Sequence, residues 1–383
     1  MPFPVTYLLD RISRSETFIR RELDQLERRN WPVFTRLLND DTNPLKFALG
    51  SCPIKYRWPF FKASCARILS ELPTAPLAAC RIIKRLPQAA HLIKKVSDTE
   101  SRLIHAQFAG ITADLSAIAA RAMGLPWTCA VHAHDVFTTR PRALLRRLQT
   151  AAGITACSQH AADAVLAAGI PQDKVSVIHH GLPLNDFSFD TIQPDEVLFC
   201  ACRLEKKKGL DTLLQACALL RMHGVRFTCI IAGTGPCLHE LEDLRHQLEL
   251  EQTVFFAGWQ SEEETLTRMM DSSLLVLPSR RMRNGDRDGI ANILLEAMAL
   301  GTPVVTTTAG AAGEVITDNV NGLLVPPDDP ATLADVLARA LSSKELLLRL
   351  AKAARKTIEN EFDGSVNIGQ LEAFFKRATG LPA

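Results

Sequence analysis

The chain has 383 residues, more than a single hydrophobic core usually supports, so two domains are expected. Its hydrophobic content of 47% indicates a globular protein, and the lack of any run of about 18 uncharged apolar residues argues against a spanning helix. The apolar start at residues 1–9 is too short for a secretory signal, and the sequence therefore predicts a cytoplasmic protein.

The net charge of +2 conceals an asymmetry, because residues 1–190 carry +8 and the remainder −6. Much of the positive charge lies between residues 46 and 147, close to Trp58, Phe60 and Phe61. Such a surface attracts polyanions or anionic membrane lipid, such as that at the cytoplasmic face of an inner membrane, although solvated helix faces explain it equally well. No basic cluster coincides with a nucleic-acid-binding motif, so we expect no nucleic acid partner.

Short apolar segments alternate with helical stretches along most of the chain. The predicted strands are residues 4–9, 32–38, 103–108, 128–131, 154–157 and 175–179, then 197–202, 227–231, 254–256, 274–277, 304–307 and 323–325. This alternation predicts parallel sheets covered by helices on both faces. The basic, proline-containing region 44–93 is the exception, and no strand is predicted there.

Two such alternating halves indicate an α/β protein with two doubly wound, Rossmann-like domains across a cleft. We expect an N-terminal domain at residues 1–188, a second domain at 189–363, and a C-terminal helix at 364–383 that returns to the first. Ser13 and Glu16 resemble a capping box at the start of the first helix. Ligands of such sheets bind at the carboxyl ends of strands, so the loops there are the candidate sites.

The stretch 284–301 reads as a polar loop followed by a helix. Asp288 and Gly289 suit the start of that helix, and Gly301 suits its end. Glu296 interrupts the apolar pattern about two turns into the helix. A solvent-facing glutamate is the simplest explanation, but a helix N-terminus beside loop and helix carboxylates also describes a site for a sugar nucleotide.

Two further loops in the second half carry candidate ligands. Arg203 and Lys208 follow a strand and could clamp a diphosphate, although a charged surface turn explains them equally well. Gly233 and Gly235 also follow a strand and permit close approach of a nucleotide. Leu238 stands where a dinucleotide fingerprint needs its third glycine, which disfavours a nicotinamide-dependent dehydrogenase.

In the first half, His132, His134 and Asp135 follow a predicted strand. They could ligate a metal, form an acid–base pair, donate hydrogen bonds to a sugar, or be structural. No third metal ligand is spaced convincingly, so no metal is expected. His105 lies within a predicted strand and is most simply structural.

These segments together resemble the retaining group 1 glycosyltransferases, glycosyltransferase family 4, which have the GT-B fold. The resemblance is carried by residues 201–209, 232–236, 256–259, 277–279 and 288–299. Residues 15–19, 105–108 and 132–135 additionally resemble a bacterial branch that makes exopolysaccharides of the colanic acid type.

The resemblance implies a UDP- or GDP-linked sugar donor and no metal or cofactor. Glu296 matches the carboxylate that holds the ribose hydroxyls, and Arg203 and Lys208 match the diphosphate-binding pair. Asp288 falls where the family usually has a glutamate near the donor sugar, and this departure leaves the identity of the sugar open. The expected main-chain phosphate contacts and nearby glycines are Gly289, Ile290, Ala291, Asn292, Gly233 and Gly235.

The resemblance further implies a hexosyltransferase that acts on a lipid-linked or growing polysaccharide acceptor. His132 matches the donor-site histidine of the family and joins Asp288, Arg203 and Lys208 as a catalytic candidate. The acceptor-side candidates are Ser15, Glu16, Thr17, His105 and Asp135. Two alternatives stay open: a soluble acceptor, as in a sugar-phosphate synthase, or a scaffold that binds nucleotide sugars without catalysis.

Overall fold

The computed structural model describes residues 2–10, 17–37, 52–72, 76–189 and 196–381. The chain forms two compact units, one made of residues Met1–Gly181 with Gly364–Ala383 and the other of Leu182–Asp363. Each unit contains one six-stranded parallel sheet flanked by helices. The predicted α/β architecture of two doubly wound sheets is confirmed, and the predicted strands all form within two residues of their expected bounds.

The sheet of the first unit has the strand order β2-β1-β3-β4-β5-β6. Every residue of β1, β3, β4 and β5 is buried, as expected for strands covered on both faces. The strands are β1 (Val5–Leu9), β2 (Val33–Leu37), β3 (Leu103–Gln107), β4 (Trp127–Val131), β5 (Gly153–Ala156) and β6 (Val175–Val177). The helices are α1 (Thr17–Arg28), α2 (Ile54–Glu71), α3 (Pro76–Asp98), α4 (Ile111–Met123), α5 (Ala133–Thr138), α6 (Pro141–Leu148) and α7 (Gln159–Ala167).

A charge network attaches α2 to the rest of the first unit. Arg67 on α2 makes a short ion pair with Asp114 on α4 and a second with Glu71 at 2.9 Å. Arg146 on α6 contacts Glu71 at 3.3 Å, and Arg147 contacts Asp114 at 3.6 Å. Because the two carboxylates are buried and paired with three arginines, the network fixes which face of α2 points outward.

The sheet of the second unit has the order β12-β11-β10-β7-β8-β9. From β7 the chain continues to one side of the sheet, and from β10 to the other, so these adjacent strands form a topological switch point. The strands are β7 (Val197–Ala201), β8 (Thr228–Ala232), β9 (Val254–Gly258), β10 (Leu274–Leu277), β11 (Val304–Thr307) and β12 (Leu323–Val325). The helices are α8 (Leu210–Met222), α9 (Leu238–Gln247), α10 (Glu262–Met270), α11 (Asn292–Leu300), α12 (Pro330–Leu341) and α13 (Lys344–Glu361).

The last helix, α14 (Gly364–Ala378), belongs to the first unit and packs with α1. Its Leu371, Phe374 and Phe375 share a core cluster with Tyr7 and Ile19. Gly364 begins the helix where a Cβ atom would lie 2.6 Å from the side chain of Gln25. The proposed capping box of Ser13 and Glu16 lies outside the described residues.

All ten cysteines are free thiols, and most are buried. Within the described parts of the chain, no helix combines the length and the apolar character needed to cross a bilayer.

Candidate functional site

The loops that follow β7 and β10 meet at the switch point of the second unit. Gly209 ends the first loop with φ of +65°, and a Cβ atom there would lie 2.0 Å from the carbonyl oxygen of Pro278 in the second. The amide of Arg280 donates to the carbonyl of Lys207 at 2.8 Å. Only glycine fits this close crossing, so Gly209 is what permits the two loops to touch.

Opposite charges join the same two loops. Lys208 Nζ lies 2.7 Å from Asp288 Oδ2, and Ser279 Oγ donates to the same oxygen at 2.6 Å. Lys207 Nζ lies 3.4 Å from Asp286 and 3.8 Å from Asp288. Both side chains of the Lys208 and Asp288 pair are only 12% exposed. Lys208, which was predicted to bind the diphosphate, is therefore held in place by Asp288, which was predicted to lie near the donor sugar.

The ion pair between Lys208 and Asp288 stabilises the charged form of both side chains. Burial alone would raise the pKa of Asp288, but the charge of Lys208 and the hydrogen bonds from Lys208 and Ser279 hold that pKa below its usual value. Burial would likewise lower the pKa of Lys208, but the charge of Asp288 raises it. Mutual stabilisation of this kind is needed because a lone charge is costly at such a position.

One local prediction is wrong. Asp288 and Gly289 do not start the helix, because α11 begins at Asn292 and its cap residue is Ala291, which provides no side-chain hydrogen bond. The carboxylate of Asp288 is instead held by Lys208 and Ser279, which keeps residues 288–291 in the loop. Gly301, with φ of +91°, ends the helix as predicted.

Glu296 lies in the buried part of α11 and is 7% exposed, so the solvent-facing alternative does not hold. Arg203 by contrast is 55% exposed and pairs with Glu205 at 2.6 Å. Gly289, Ile290, Ala291 and Asn292 form the half-buried turn that leads into α11, where first-turn amides have no acceptor within the helix.

The glycines after β8 have a structural explanation. Gly233 adopts φ of +132°, and a Cβ atom there would lie 1.9 Å from the carbonyl oxygen of Cys202. A Cβ atom at Gly235 would lie 2.5 Å from the carbonyl oxygen of Leu204. Both glycines are required for this loop to pack against the loop after β7, whatever ligand binds nearby.

In the first unit, polar side chains collect at the carboxyl ends of neighbouring strands. Gln107 ends β3, His132 follows β4, Cys157 follows β5 and His180 follows β6. The imidazoles of His132 and His180 stack with a centroid distance of 5.2 Å and an interplanar angle of 8°. Phe18 on α1 contacts both rings, with centroid distances of 5.1 and 4.2 Å.

Behind this cluster lies a hydrogen-bonded group that the sequence did not reveal. Glu22 Oε1 accepts hydrogen bonds from Tyr7 Oη at 3.1 Å and from Gln107 Nε2 at 3.0 Å. Gln107 Oε1 lies 3.2 Å from His132 Nε2. Burial raises the pKa of Glu22 to about 7 and lowers that of His132 to about 3. The sequence did offer one signal for this group, because Gln107 is a polar residue at the end of the apolar strand β3.

The described acceptor-side candidates make structural contacts within the first unit. His105 is fully buried within β3, where Nδ1 lies 2.8 Å from Thr128 Oγ1, so it reaches no surface. Asp135 accepts a hydrogen bond from the amide of His132 at 3.0 Å and thereby caps α5. Burial raises the pKa of Asp135 to about 6. Thr17 is the first described residue of α1, whereas Ser15 and Glu16 lie outside the described residues.

One group in the described structure has the composition of a metal site. His132, Cys157 and His180 offer ligand atoms within 4.8 Å of one another. This group alone does not establish a metal site, and the absence of a bound metal stays a prediction.

The sequence matches two family models in succession. Glycosyltransferase Family 4 matches residues 16–186, and Glycosyl transferases group 1 matches residues 185–357. The chain therefore belongs to the group 1 glycosyltransferases of family 4.

Among similar proteins, a putative colanic acid biosynthesis glycosyltransferase, WcaL of Escherichia coli, is 35% identical over 204 residues, which is 52% of this chain and 50% of that protein. The amylovoran biosynthesis glycosyltransferase AmsK of Erwinia amylovora is 31% identical over 216 residues, 56% of this chain and 53% of that protein. The matched part thus spans about half the length of these relatives.

Solved structures agree on the fold. Alr3699/HepE of Anabaena, solved with UDP and glucose, has a TM-score of 0.73 at 19% identity and matches 98% of this chain and 99% of its own. Sucrose-phosphate synthase of Thermosynechococcus elongatus has a TM-score of 0.76 at 18% identity, with 99% of each chain covered. The predicted GT-B fold is confirmed.

We expect Lys208→Met to lower the free energy of unfolding by about 3 kcal/mol near neutral pH, because it leaves the buried carboxylate of Asp288 unpaired. The native pKa of Asp288 is depressed, so the pair contributes stability above the unfolded-state pKa and loses it as pH falls through the native value. The loss in Lys208→Met should therefore shrink in acid. Urea unfolding at several pH values measures it.

The matched control is Lys206→Met in the same turn, since Lys206 is 64% exposed and pairs with an equally exposed Glu240. A surface pair of this kind contributes about 0–1 kcal/mol. Equal losses in the two variants would show that the Lys208 and Asp288 pair does not hold the loops together.

Proposed function

We propose that this chain is a retaining hexosyltransferase that moves a sugar from a UDP- or GDP-linked donor to a lipid-linked or growing polysaccharide in exopolysaccharide synthesis. Residues 189–363 serve as the donor-binding domain and residues 1–188 as the acceptor-binding domain. The observation that carries the proposal is the arrangement at the switch point of the second unit, where the family motifs after β7 and β10 meet through Lys208 and Asp288.

Each part of the donor has a proposed ligand in the second unit. The buried carboxylate of Glu296 accepts the two ribose hydroxyls, and Arg203 and Lys208 bind the diphosphate. Amides of residues 289–292 at the start of α11 supply further phosphate contacts, because unpaired amides and the helix dipole favour an anion there. Asp288 contacts the sugar or fixes Lys208, and the 2.7 Å ion pair supports the second role.

The chemistry follows from charge. The anomeric C–O bond breaks, its electron pair leaves on the nucleoside diphosphate, and the acceptor oxygen forms the new bond on the same face of the sugar. The acceptor's proton passes to the departing phosphate oxygen. Arg203 and Lys208 stabilise the charge that develops on the leaving group, which requires no metal. His132 contacts the transferred sugar while the anomeric C–O bond breaks.

Incubation with a panel of UDP- and GDP-sugars and a bacterial membrane extract tests this activity. We expect one donor to be consumed in the presence of EDTA, with the anomeric configuration of the donor retained in the product. His132→Ala should lower kcat by about 100-fold or more, because the contact acts on the reacting sugar.

Three outcomes would contradict parts of the proposal. Nucleotide-sugar binding without turnover would make the chain a scaffold. Loss of turnover in EDTA with rescue by Mg²⁺ would refute the metal-free mechanism, and near-normal turnover of His132→Ala would remove His132 from it.

We further propose a peripheral contact with anionic membrane through α2, which suits a lipid-linked acceptor. Trp58 and Phe61 are 64% and 57% exposed and stack with centroids 5.8 Å apart. Ile54, 81% exposed, lies one turn before Trp58 on the same face. Lys62 Nζ lies 5.2 Å from the centre of the Trp58 ring. An apolar stripe with cations beside it fits the boundary between headgroups and acyl chains.

Sedimentation with liposomes that contain anionic phospholipid tests the contact. We expect binding that weakens with salt and that falls several-fold in Trp58→Ser, since the tryptophan supplies much of the inserted apolar area. Trp259→Ser is the matched control, because Trp259 is 53% exposed in the second unit. Equal binding by both variants, or no binding by the wild type, would contradict the contact and favour a soluble acceptor.

A further inference from the structure

The hydrogen bonds of Glu22 define the orientation of the Gln107 amide. A single carboxylate oxygen, Oε1, accepts from both Tyr7 and Gln107, at 3.1 and 3.0 Å. An ionised Glu22 can only accept, and a Glu22 protonated on its other oxygen still accepts at Oε1. In both of these states the NH₂ group of Gln107 points towards Glu22, and its carbonyl oxygen points the other way.

That carbonyl oxygen faces His132. The distance from Gln107 Oε1 to His132 Nε2 is 3.2 Å, and an amide oxygen can only accept a hydrogen bond. Nε2 must therefore carry the proton. In a neutral imidazole the other nitrogen, Nδ1, then has a free lone pair.

Aromatic side chains hold the ring in place. Phe108 and Phe18 contact the imidazole of His132 with centroid distances of 4.7 and 5.1 Å, and His180 stacks on it at 5.2 Å. Gln107 is fully buried, and His132 and Glu22 are half-buried. The aromatic contacts therefore restrict rotation of the imidazole ring.

We propose that Tyr7, Glu22 and Gln107 are positioning residues that fix His132 as a neutral imidazole with its proton on Nε2, so that the lone pair of Nδ1 is left to accept a hydrogen bond from a substrate hydroxyl. The role towards substrate rests on the proposed function. The tautomer itself depends only on the first unit and is measurable without any substrate.

The test is long-range ¹H–¹⁵N correlation spectroscopy of protein labelled with ¹⁵N-histidine, near neutral pH. The resonances of His132 are assigned by their loss in His132→Gln. We expect the wild type to show a protonated Nε2 and an unprotonated Nδ1. A proton on Nδ1, or a doubly protonated ring, would overturn the proposal.

Variants separate positioning from general structural support. Glu22→Gln keeps an acceptor oxygen for Tyr7 and Gln107 and should retain the wild-type tautomer. Glu22→Met frees the Gln107 amide, and Gln107→Met removes the acceptor altogether, so both should give mixed tautomers. If Glu22→Met fails to fold, the spectra of Gln107→Met and of the wild type still test whether Gln107 determines the tautomer of His132. A wild-type spectrum in folded Gln107→Met would overturn the proposal.

Kinetics then connect the tautomer to turnover. We expect Gln107→Met to lower kcat by about tenfold with a smaller change in the KM of the donor, because misorientation of one contact acts mainly on the reacting state. Unchanged kcat alongside a changed tautomer would overturn the acceptor role of His132. Absence of any transferase activity in the wild type would refute the proposed function and leave the spectroscopic result standing.

Discussion

The organisation of the second unit depends on a buried carboxylate that cannot be left alone. Asp288 lies at the carboxyl end of β10, where the low exposure of its side chain makes an unpaired charge costly. Lys208, at the end of the neighbouring loop, satisfies it at 2.7 Å. The pair joins the two loops at the point where the strand order reverses, which is where α/β sheets bind ligands. The same contact thus stabilises the fold and places a cation at the ligand-binding edge.

In the first unit, too, buried polar side chains at strand ends are satisfied by partners, but these side chains are neutral. Its strand ends carry Gln107, His132 and His180, and the side chain of Glu22 supports them from α1. Here burial favours uncharged imidazoles, so hydrogen-bond direction, not charge, defines the arrangement. The two units therefore differ in chemistry: the second unit has paired charges at the loops after β7 and β10, and the first unit has a neutral, oriented imidazole.

The sequence predicted the strands and the fold class well, because buried parallel strands are continuous apolar runs that alternate with amphipathic helices. It failed where a long-range partner overrides a local preference. Asp288 has the chemistry of a helix cap, yet Lys208, 80 residues away, holds it in the loop. The sequence did not single out Glu22, because nothing local shows that its carboxylate contacts Tyr7 and Gln107. Family resemblance supplied the site candidates, but not their partners.

The central proposal is that the second unit binds a nucleoside diphosphate, with the phosphates at the loops after β7 and β10 and the ribose at Glu296. Calorimetric titration of UDP and GDP without added metal tests it most directly, with Glu296→Gln as the test variant and Glu240→Gln, at an exposed position, as the control. The account predicts that one nucleotide binds the wild type and the control equally, and that it binds Glu296→Gln about tenfold more weakly, since one charged acceptor for the ribose is lost. Failure of both nucleotides to bind, or equal binding by all three proteins, would contradict it.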